Sequence, residues 1–573
     1  MEKKNLKVLI VGGVACGPKS ASRLKRLMPE AEVTMLEKGK IVSYGACGLP
    51  YYVSGEVPDI KALLETPVGV KRDAVFFKKV KGFETLMETE ALSIDREKKT
   101  VEVIDHRSGE KKNLAYDKLI LATGAGPFMP PIEGMDLKGV ARLYVPDDAV
   151  AMRSAIESGD VKKVVIVGAG LIGLEIAEAL ARQGVSVTIV EMFDYPLAAL
   201  MDKEMGLLVQ KHLSSKGVEL FMGEMVTGMV GDATGRLTAV KTARREIDAD
   251  MAIVSVGVRP RSKLARDAGM ALTPQGAIAI NEFCQTSDPD IYAGGDCAAN
   301  QYAGHLLGTP LFTPLGDIAN KHGRVIANHI AGIADPFFGV LGTAICKSFD
   351  FTVGCTGLTE KKARSLNYDV ETVLCTGPDF ANYYPGSQPI CLKLIVNRRN
   401  RRILGAQLAG PGECDKRLDV LATAIGLNAT AEQLAQLDLG YAPPYSPALD
   451  PVITGAHIML NKLDGITRAV SPLELKEKLD SGADDFVLLD VRTPGEWEEM
   501  RLPYEDRTIH LPLGALREKY DQLPRDKQII AFCKLSLRGY EAERILKGVG
   551  FDNVVFLDGG IMGWPYEVWI KEQ

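Results

Sequence analysis

Two of the ten cysteines stand where sulfur chemistry could be done. Cys47 lies in the segment Ser43-Tyr-Gly-Ala-Cys47-Gly-Leu-Pro50. Proline suits the first turn of a helix, so the spacing predicts Cys47 at or near a helix N-terminus. There the helix dipole and free N–H groups favour a thiolate, the form that attacks sulfur–sulfur bonds. Cys533 opens the six-residue segment Cys533-Lys-Leu-Ser-Leu-Arg538, between an apolar run and a helical pattern. Such a loop can turn several backbone N–H groups toward one sulfur and hold it as thiolate or persulfide, with Lys534 and Arg538 adding positive charge. No CxxC or CxxxxC partner accompanies Cys47. Its disulfide must therefore form with a substrate, or the thiol must pass through a sulfenic acid. The other cysteines, Cys16 and Cys297 among them, read as buried packing thiols. The seven histidines form no ligand cluster; His322, His457 and His510 read as structural, and no metal is expected.

Glycines come next. Gly168-Ala-Gly170-Leu-Ile-Gly173 follows an apolar run and opens a helical stretch. Backbone without side chains lets a pyrophosphate approach a helix N-terminus, and Glu191, about 20 positions on, suits a ribose 2′-hydroxyl. A carboxylate there repels a 2′-phosphate, so NADH is favoured over NADPH. A second, less regular turn, Gly12-Gly13-Val14-Ala15-Cys16-Gly17, has Val14 where a glycine is usual and Glu37 at the end of its second strand. Two dinucleotide sites in one chain imply two nucleotides, and the natural pairing is a flavin, FAD, relaying a hydride from nicotinamide.

The elements that must hold these residues repeat one plan. Residues 7–37 and 162–191 each read as strand, glycine turn, helix and strand, so the fold class is α/β with two doubly wound nucleotide-binding domains. The segment 116–124 ends a buried strand on Thr123-Gly124, and 290–296 ends one on Gly-Gly-Asp296. From about residue 335 alternating segments such as 390–396 and 403–408 predict an antiparallel sheet, closed by a proline-rich stretch at 441–451. After about residue 465 three strand patterns separated by helical ones predict a further small α/β domain.

Bulk properties exclude some partners. A formal net charge of −6 leaves no basic field for nucleic acid. Apolar runs such as 8–11 and 164–167 are strand-sized, so no membrane span is expected. With no signal-peptide pattern at the N-terminus, the cytoplasm is the expected compartment.

The first ~455 residues resemble the coenzyme A disulfide reductase branch of the pyridine nucleotide–disulfide reductase family, in VGGVACG, SYGACGLPYY, LILATG, GAGLIG, IYAGGD, NYYPG and LDLGYAPPYSPALDP. The resemblance implies a homodimer carrying FAD, with Cys47 forming a mixed disulfide with coenzyme A. It places FAD contacts at Gly12, Gly13, Val14, Ala15, Glu37, Lys38, Ser43, Thr123, Gly124, Asp296 and Pro314. Coenzyme A phosphates fall to Lys19, Arg23 and Arg26, with Ser43 also on the substrate. Tyr383 and Tyr441 match tyrosines that reach the partner subunit's active site. Ala46 stands where the family usually has Asn, and Ala448 where some members carry a substrate-contacting Lys. Cys533 to Arg538, with DVRTPGEW at 490–497 and LDGG at 557–560, resembles a single rhodanese domain.

The implied domains are 1–115 plus 250–330 for FAD, 116–249 for NAD(P) together with connecting segments, an α+β dimerisation domain at 335–455 and a rhodanese domain at 466–573. The expected reaction is NADH-driven reduction of coenzyme A persulfide or polysulfide. The alternatives are coenzyme A disulfide reduction, NADH oxidase or peroxidase chemistry through a Cys47 sulfenic acid, and a rhodanese domain that only docks a sulfur-carrier partner.

Overall fold

The computed structural model describes residues 5–306 and 310–571. The chain divides into two compact units, one of residues 1–192 and 224–340, the other of 193–223 and 341–573.

The first unit carries both nucleotide folds. Its first sheet is all parallel, in the order Ile291–Ala293, Lys118–Leu121, Lys7–Val11, Glu32–Glu37, Glu84–Met87. A second parallel set runs Ser186–Glu191, Lys163–Val167, Met251–Val254, Val140–Ala141. Strands covered on both faces need apolar side chains throughout, and Lys7-Val-Leu-Ile-Val11 is buried at every position after the first. Helices Cys16–Leu27 and Leu171–Arg182 follow the two glycine turns. Three-stranded antiparallel sheets at 89–115 and 226–248 extend from these folds.

Two strands lie in the opposite sheet from the one their sequence positions suggest. Lys118–Leu121, read as the start of the second nucleotide domain, pairs with Lys7–Val11. Met251–Val254, read with the first domain, pairs with Lys163–Val167. Both are short apolar runs, and parallel pairing is set by crossovers that local pattern does not reveal.

In the second unit, Ala344–Ser348, Phe351–Gly357, Ile403–Gly410, Pro389–Asn397 and Val370–Pro378 form an antiparallel sheet in that order, covered by helices Asp415–Gly426 and Pro451–Leu463. Beyond it a parallel sheet runs Ala469–Val470, Val554–Leu557, Gln528–Phe532, Phe486–Asp490, Thr508–His510, with Trp564 fully buried among its core residues. Among the described residues, no helix is long and apolar enough to cross a membrane.

Candidate active sites

The two glycine turns are built alike. Strand Lys7–Val11 runs into the turn and helix Cys16–Leu27, while Lys163–Val167 runs through 168–170 into helix Leu171–Arg182. In each, the acid at the end of the next strand reaches back to the turn. Glu37 accepts from the N–H of Gly13 at 2.9 Å, and Glu191 from the N–H of Ala169 at 2.7 Å. Gly168 has φ +105°, and a Cβ there would meet the Ser255 carbonyl oxygen at 2.5 Å, so only glycine makes this turn. A Cβ at Gly170 would meet nothing within 4 Å. That open space at a helix start is the cradle a pyrophosphate needs.

The residues expected around the flavin gather in the same unit. Thr123 Oγ1 donates to the Arg261 carbonyl at 2.5 Å, and Arg261 N–H donates to Gly124 O at 2.8 Å, fixing the Thr-Gly corner. Ser43 is buried, with its N–H on the Gly13 carbonyl at 2.8 Å. Lys38 pairs loosely with Glu90 at 4.0 Å. Burial pushes the Asp296 carboxyl up to about 6, which suits an acid that accepts from hydroxyls rather than pairing with a cation. Pro314 lies just before helix Gly316–Ile330. Buried His322 on that helix accepts from the Gly295 N–H through Nδ1 at 3.1 Å, bracing the Gly-Gly-Asp corner. Glycine spacing, open backbone and buried acceptors fit two dinucleotides.

Cys47 occupies the 3₁₀ turn Ala46–Gly48, directly before the short helix Leu49–Val53. The thiol is exposed, whereas the other nine cysteines are buried. Placement at a helix start is as the proline predicts, but the electrostatics run the other way. Desolvation by the atoms packed around it raises the Cys47 thiol, and the carboxylates of Glu175, Asp296 and Asp317 raise it further. Burial is the larger cause and the three acids, from three distant segments, add to it.

Glu175 was invisible to motif reading. It sits two residues past Gly173 on helix Leu171–Arg182, accepts from Tyr51 Oη at 3.3 Å, and is pushed up to about 7 by burial. The available signal was a lone acid in the apolar run Leu-Ile-Gly-Leu-Glu175-Ile-Ala.

The three cations of helix Cys16–Leu27 differ. Lys19 and Arg26 are exposed, whereas Arg23 is half-buried and its Nε donates to Asn328 Oδ1 at 2.9 Å. Arg23 is therefore partly engaged within the fold.

Tyr383 and Tyr441 lie in the second unit, 76% and 56% exposed, on segments outside regular strands. That unit also holds the Cys533 loop, between strand Gln528–Phe532 and helix Leu537–Gly548. Cys533 is only 1% exposed. Arg538, five residues on, is raised chiefly by its bonds to Glu496, with Cys533 adding to the same shift. Arg538 donates to both Glu496 carboxylate oxygens at 2.7 Å. The loop rests on 557–563: Ile561 N–H donates to Cys533 O at 2.9 Å and Met562 N–H to Lys534 O at 3.2 Å. His510 stacks on Trp497 and bonds the Arg492 carbonyl at 3.0 Å. Among the described residues, no cluster of three or more His, Cys, Asp or Glu is placed to hold a metal ion.

Comparison with known proteins gives three family matches. Residues 6–313 match the pyridine nucleotide-disulphide oxidoreductase family, 343–453 its dimerisation domain, and 471–566 the rhodanese-like domain. The chain is 38% identical to an NAD(P)H sulfur oxidoreductase (CoA-dependent) of Pyrococcus abyssi, over 79% of this chain and 98% of that one. It is 34% identical to an NADH oxidase of Methanocaldococcus jannaschii, over 80% and 99%. The solved structure of an NAD-dependent persulfide reductase from A. fulgidus superposes with a TM-score of 0.92 at 44% identity, covering 98% of this chain and all of that one.

Proposed function

Because the chain belongs to the pyridine nucleotide-disulphide oxidoreductase family, we propose that it uses NADH to reduce the sulfane sulfur of coenzyme A persulfide or polysulfide through Cys47, with Cys533 as the sulfur-carrying site. The observation that carries this reading is the contrast between one exposed thiol in the unit of the two nucleotide cradles and nine buried ones, one of them on a rhodanese loop.

Gly168, Gly170, Gly173 and Glu191 would hold NADH, and the turn at 12–15, Glu37, Ser43, Thr123, Gly124 and Asp296 would hold FAD. Bound there, the two nucleotides supply a pair of electrons to sulfur. Lys19 and Arg26 offer exposed cations to coenzyme A phosphates, with Arg23 beside them. The Cys47 sulfur attacks the coenzyme A sulfur of the persulfide. A Cys47–coenzyme A disulfide forms and HS⁻ leaves. Two electrons from NADH then reopen that disulfide to two thiolates, so that NADH and CoA–S–S⁻ yield NAD⁺, CoA–S⁻ and HS⁻. Tyr441 of a homodimer assists proton delivery. Cys533, loaded as a persulfide from a small donor or a sulfur-carrier partner, hands its outer sulfur to coenzyme A. The reducing cytoplasm suits a chain whose thiols stay unpaired.

Steady-state NADH oxidation with coenzyme A persulfide, polysulfide, coenzyme A disulfide and peroxide in turn tests the reading. Sulfane-sulfur substrates lead in kcat/KM, and Cys47→Ser abolishes turnover while leaving thiosulfate-to-cyanide sulfur transfer intact. Cys533→Ser does the reverse. Faster turnover of peroxide than of any sulfur substrate would replace this reading with an oxidase cycling Cys47 through a sulfenic acid.

A further inference from the structure

The segment 557–563 has two faces. One supports the Cys533 loop: besides the bonds to Cys533 O and Lys534 O, Ser536 Oγ donates to Leu557 O at 3.3 Å. Gly560 lies so close that a Cβ there would stand 2.6 Å from Cys533 O. The other face is fastened to the antiparallel sheet of the same unit. Asp558 Oδ2 accepts from Leu374 N–H at 3.1 Å and pairs with Lys462 Nζ at 3.1 Å. Thr376 Oγ1 donates to Gly559 O at 2.9 Å. Lys462, on helix Pro451–Leu463, also bonds the Thr372 carbonyl and lies 3.4 Å from Glu371. A little further along, Lys211 donates to the Trp564 and Tyr566 carbonyls at 3.4 and 3.0 Å.

The side chains of Lys462 and Asp558 are only 10% and 5% exposed. Apolar side chains would join two domains at less desolvation cost, whereas a buried ion pair fixes direction and register. Among the described residues Asp558 Oδ1 has no hydrogen-bond partner, so the carboxylate is held for its position at some expense in solvation. The path from Lys462 to Cys533 is short: ion pair, one glycine-rich turn, then the sulfur-bearing loop.

We infer that Lys462 and Asp558 are positioning residues that hold the Cys533 loop in a fixed place on the dimerisation sheet, so that sulfur is handed on from a rigid station rather than from a tethered domain. The inference rests on the proposed passage of sulfur from Cys533 to coenzyme A and then to Cys47. In the first step, thiosulfate gives its outer sulfur to the Cys533 thiolate, forming Cys533–S–S⁻ and releasing sulfite. In the second, the coenzyme A thiolate takes that sulfur, restoring Cys533 and forming CoA–S–S⁻, which NADH reduces as above.

The test uses the full chain with three assays: thiosulfate-to-cyanide transfer, NADH oxidation with preformed coenzyme A persulfide, and NADH oxidation driven by thiosulfate plus coenzyme A. In Lys462→Met the third rate falls at least about tenfold, the scale of a lost fixed orientation, while the first two stay within about twofold. Thr376→Val, which buries no unpaired charge, gives a smaller fall of the same kind, and Lys462→Arg restores part of the coupled rate. Amide exchange at 557–563 quickens in Lys462→Met. A coupled rate that is unchanged, or that falls only in step with thiosulfate-to-cyanide transfer, overturns the positioning role alone. If the wild-type protein does not couple thiosulfate to NADH, the proposed sulfur passage fails and the inference falls with it.

Discussion

Arg538 grips both oxygens of Glu496, with two bonds of 2.7 Å, beside a cysteine that is almost wholly enclosed. The two-point geometry fixes the plane of the guanidinium, so the cation next to Cys533 has one orientation. Arg538 in turn holds the Glu496 carboxyl down to about 2. Glu496→Gln keeps the shape but loses the charge-assisted bonds, and sulfur transfer through Cys533 falls about tenfold, equivalent to ~1.4 kcal/mol. A carboxyl lowered in the folded state contributes its stability above the ordinary carboxylate value and loses it as pH falls through the folded one. The stability gap between wild type and Glu496→Gln is therefore constant above about pH 5 and closes as pH falls toward about 2. Thermal unfolding across that range checks it.

Burial raises the Cys47 thiol, and among the neighbouring charges the Glu175 carboxylate adds most. Glu175→Gln removes that charge, and the pH at which Cys47 becomes half-reactive toward iodoacetamide moves down. Burial remains, so the thiol stays above its ordinary value. Glu175 itself is pushed up to about 7, so its influence on Cys47 grows as pH rises through neutrality and is absent below about pH 5. An unchanged alkylation profile in the variant would remove Glu175 from the site.

Glu191 ends its strand beside the 168–170 turn, where the proposed function puts a ribose hydroxyl of NADH. Glu191→Ala lowers kcat/KM for NADH about tenfold or more, the worth of one or two hydrogen bonds to a charged group, while NADPH, no longer repelled, loses less. Steady-state kinetics with both nucleotides measure the ratio.

Gly560 has φ +59°, and its missing Cβ would lie 2.6 to 2.8 Å from the backbone of Cys533, Lys534 and Ser536. Gly560→Ala strains the turn and pushes the sulfur loop aside, at a cost of about 2 kcal/mol or more. Thiosulfate-to-cyanide transfer drops at least about tenfold, and NADH oxidation with preformed coenzyme A persulfide stays near wild type.

Local chemistry was readable in the sequence; long-range partnership was not. The glycine turns with Glu37 and Glu191, and the cysteine-to-arginine loop at 533–538, are spelled within about 25 consecutive residues, and the fold places each at a strand end. The sheet membership of Lys118–Leu121 and Met251–Val254 depends on crossovers between segments over 80 residues apart. The upward shift of Cys47 comes from burial first and then from Glu175, Asp296 and Asp317, all of which adjoin it only after folding. Lys462 and Asp558 are 96 residues apart, so nothing in the helical segment around the one or the LDGG segment around the other announces their pairing.

The burial of Cys16, Cys284, Cys297, Cys346, Cys355, Cys375, Cys391 and Cys414 has a meaning beyond packing. A catalyst that handles polysulfide works in a reagent able to modify any thiol it can touch. Burial raises Cys16, Cys284, Cys297, Cys355, Cys375, Cys391 and Cys414, with Cys355, Cys375 and Cys414 pushed up to about 12, so they carry almost no thiolate at neutral pH. Under the proposed function, the fold thus shields these eight thiols from the sulfur substrate by enclosure, while the exposed Cys47 stays open to it.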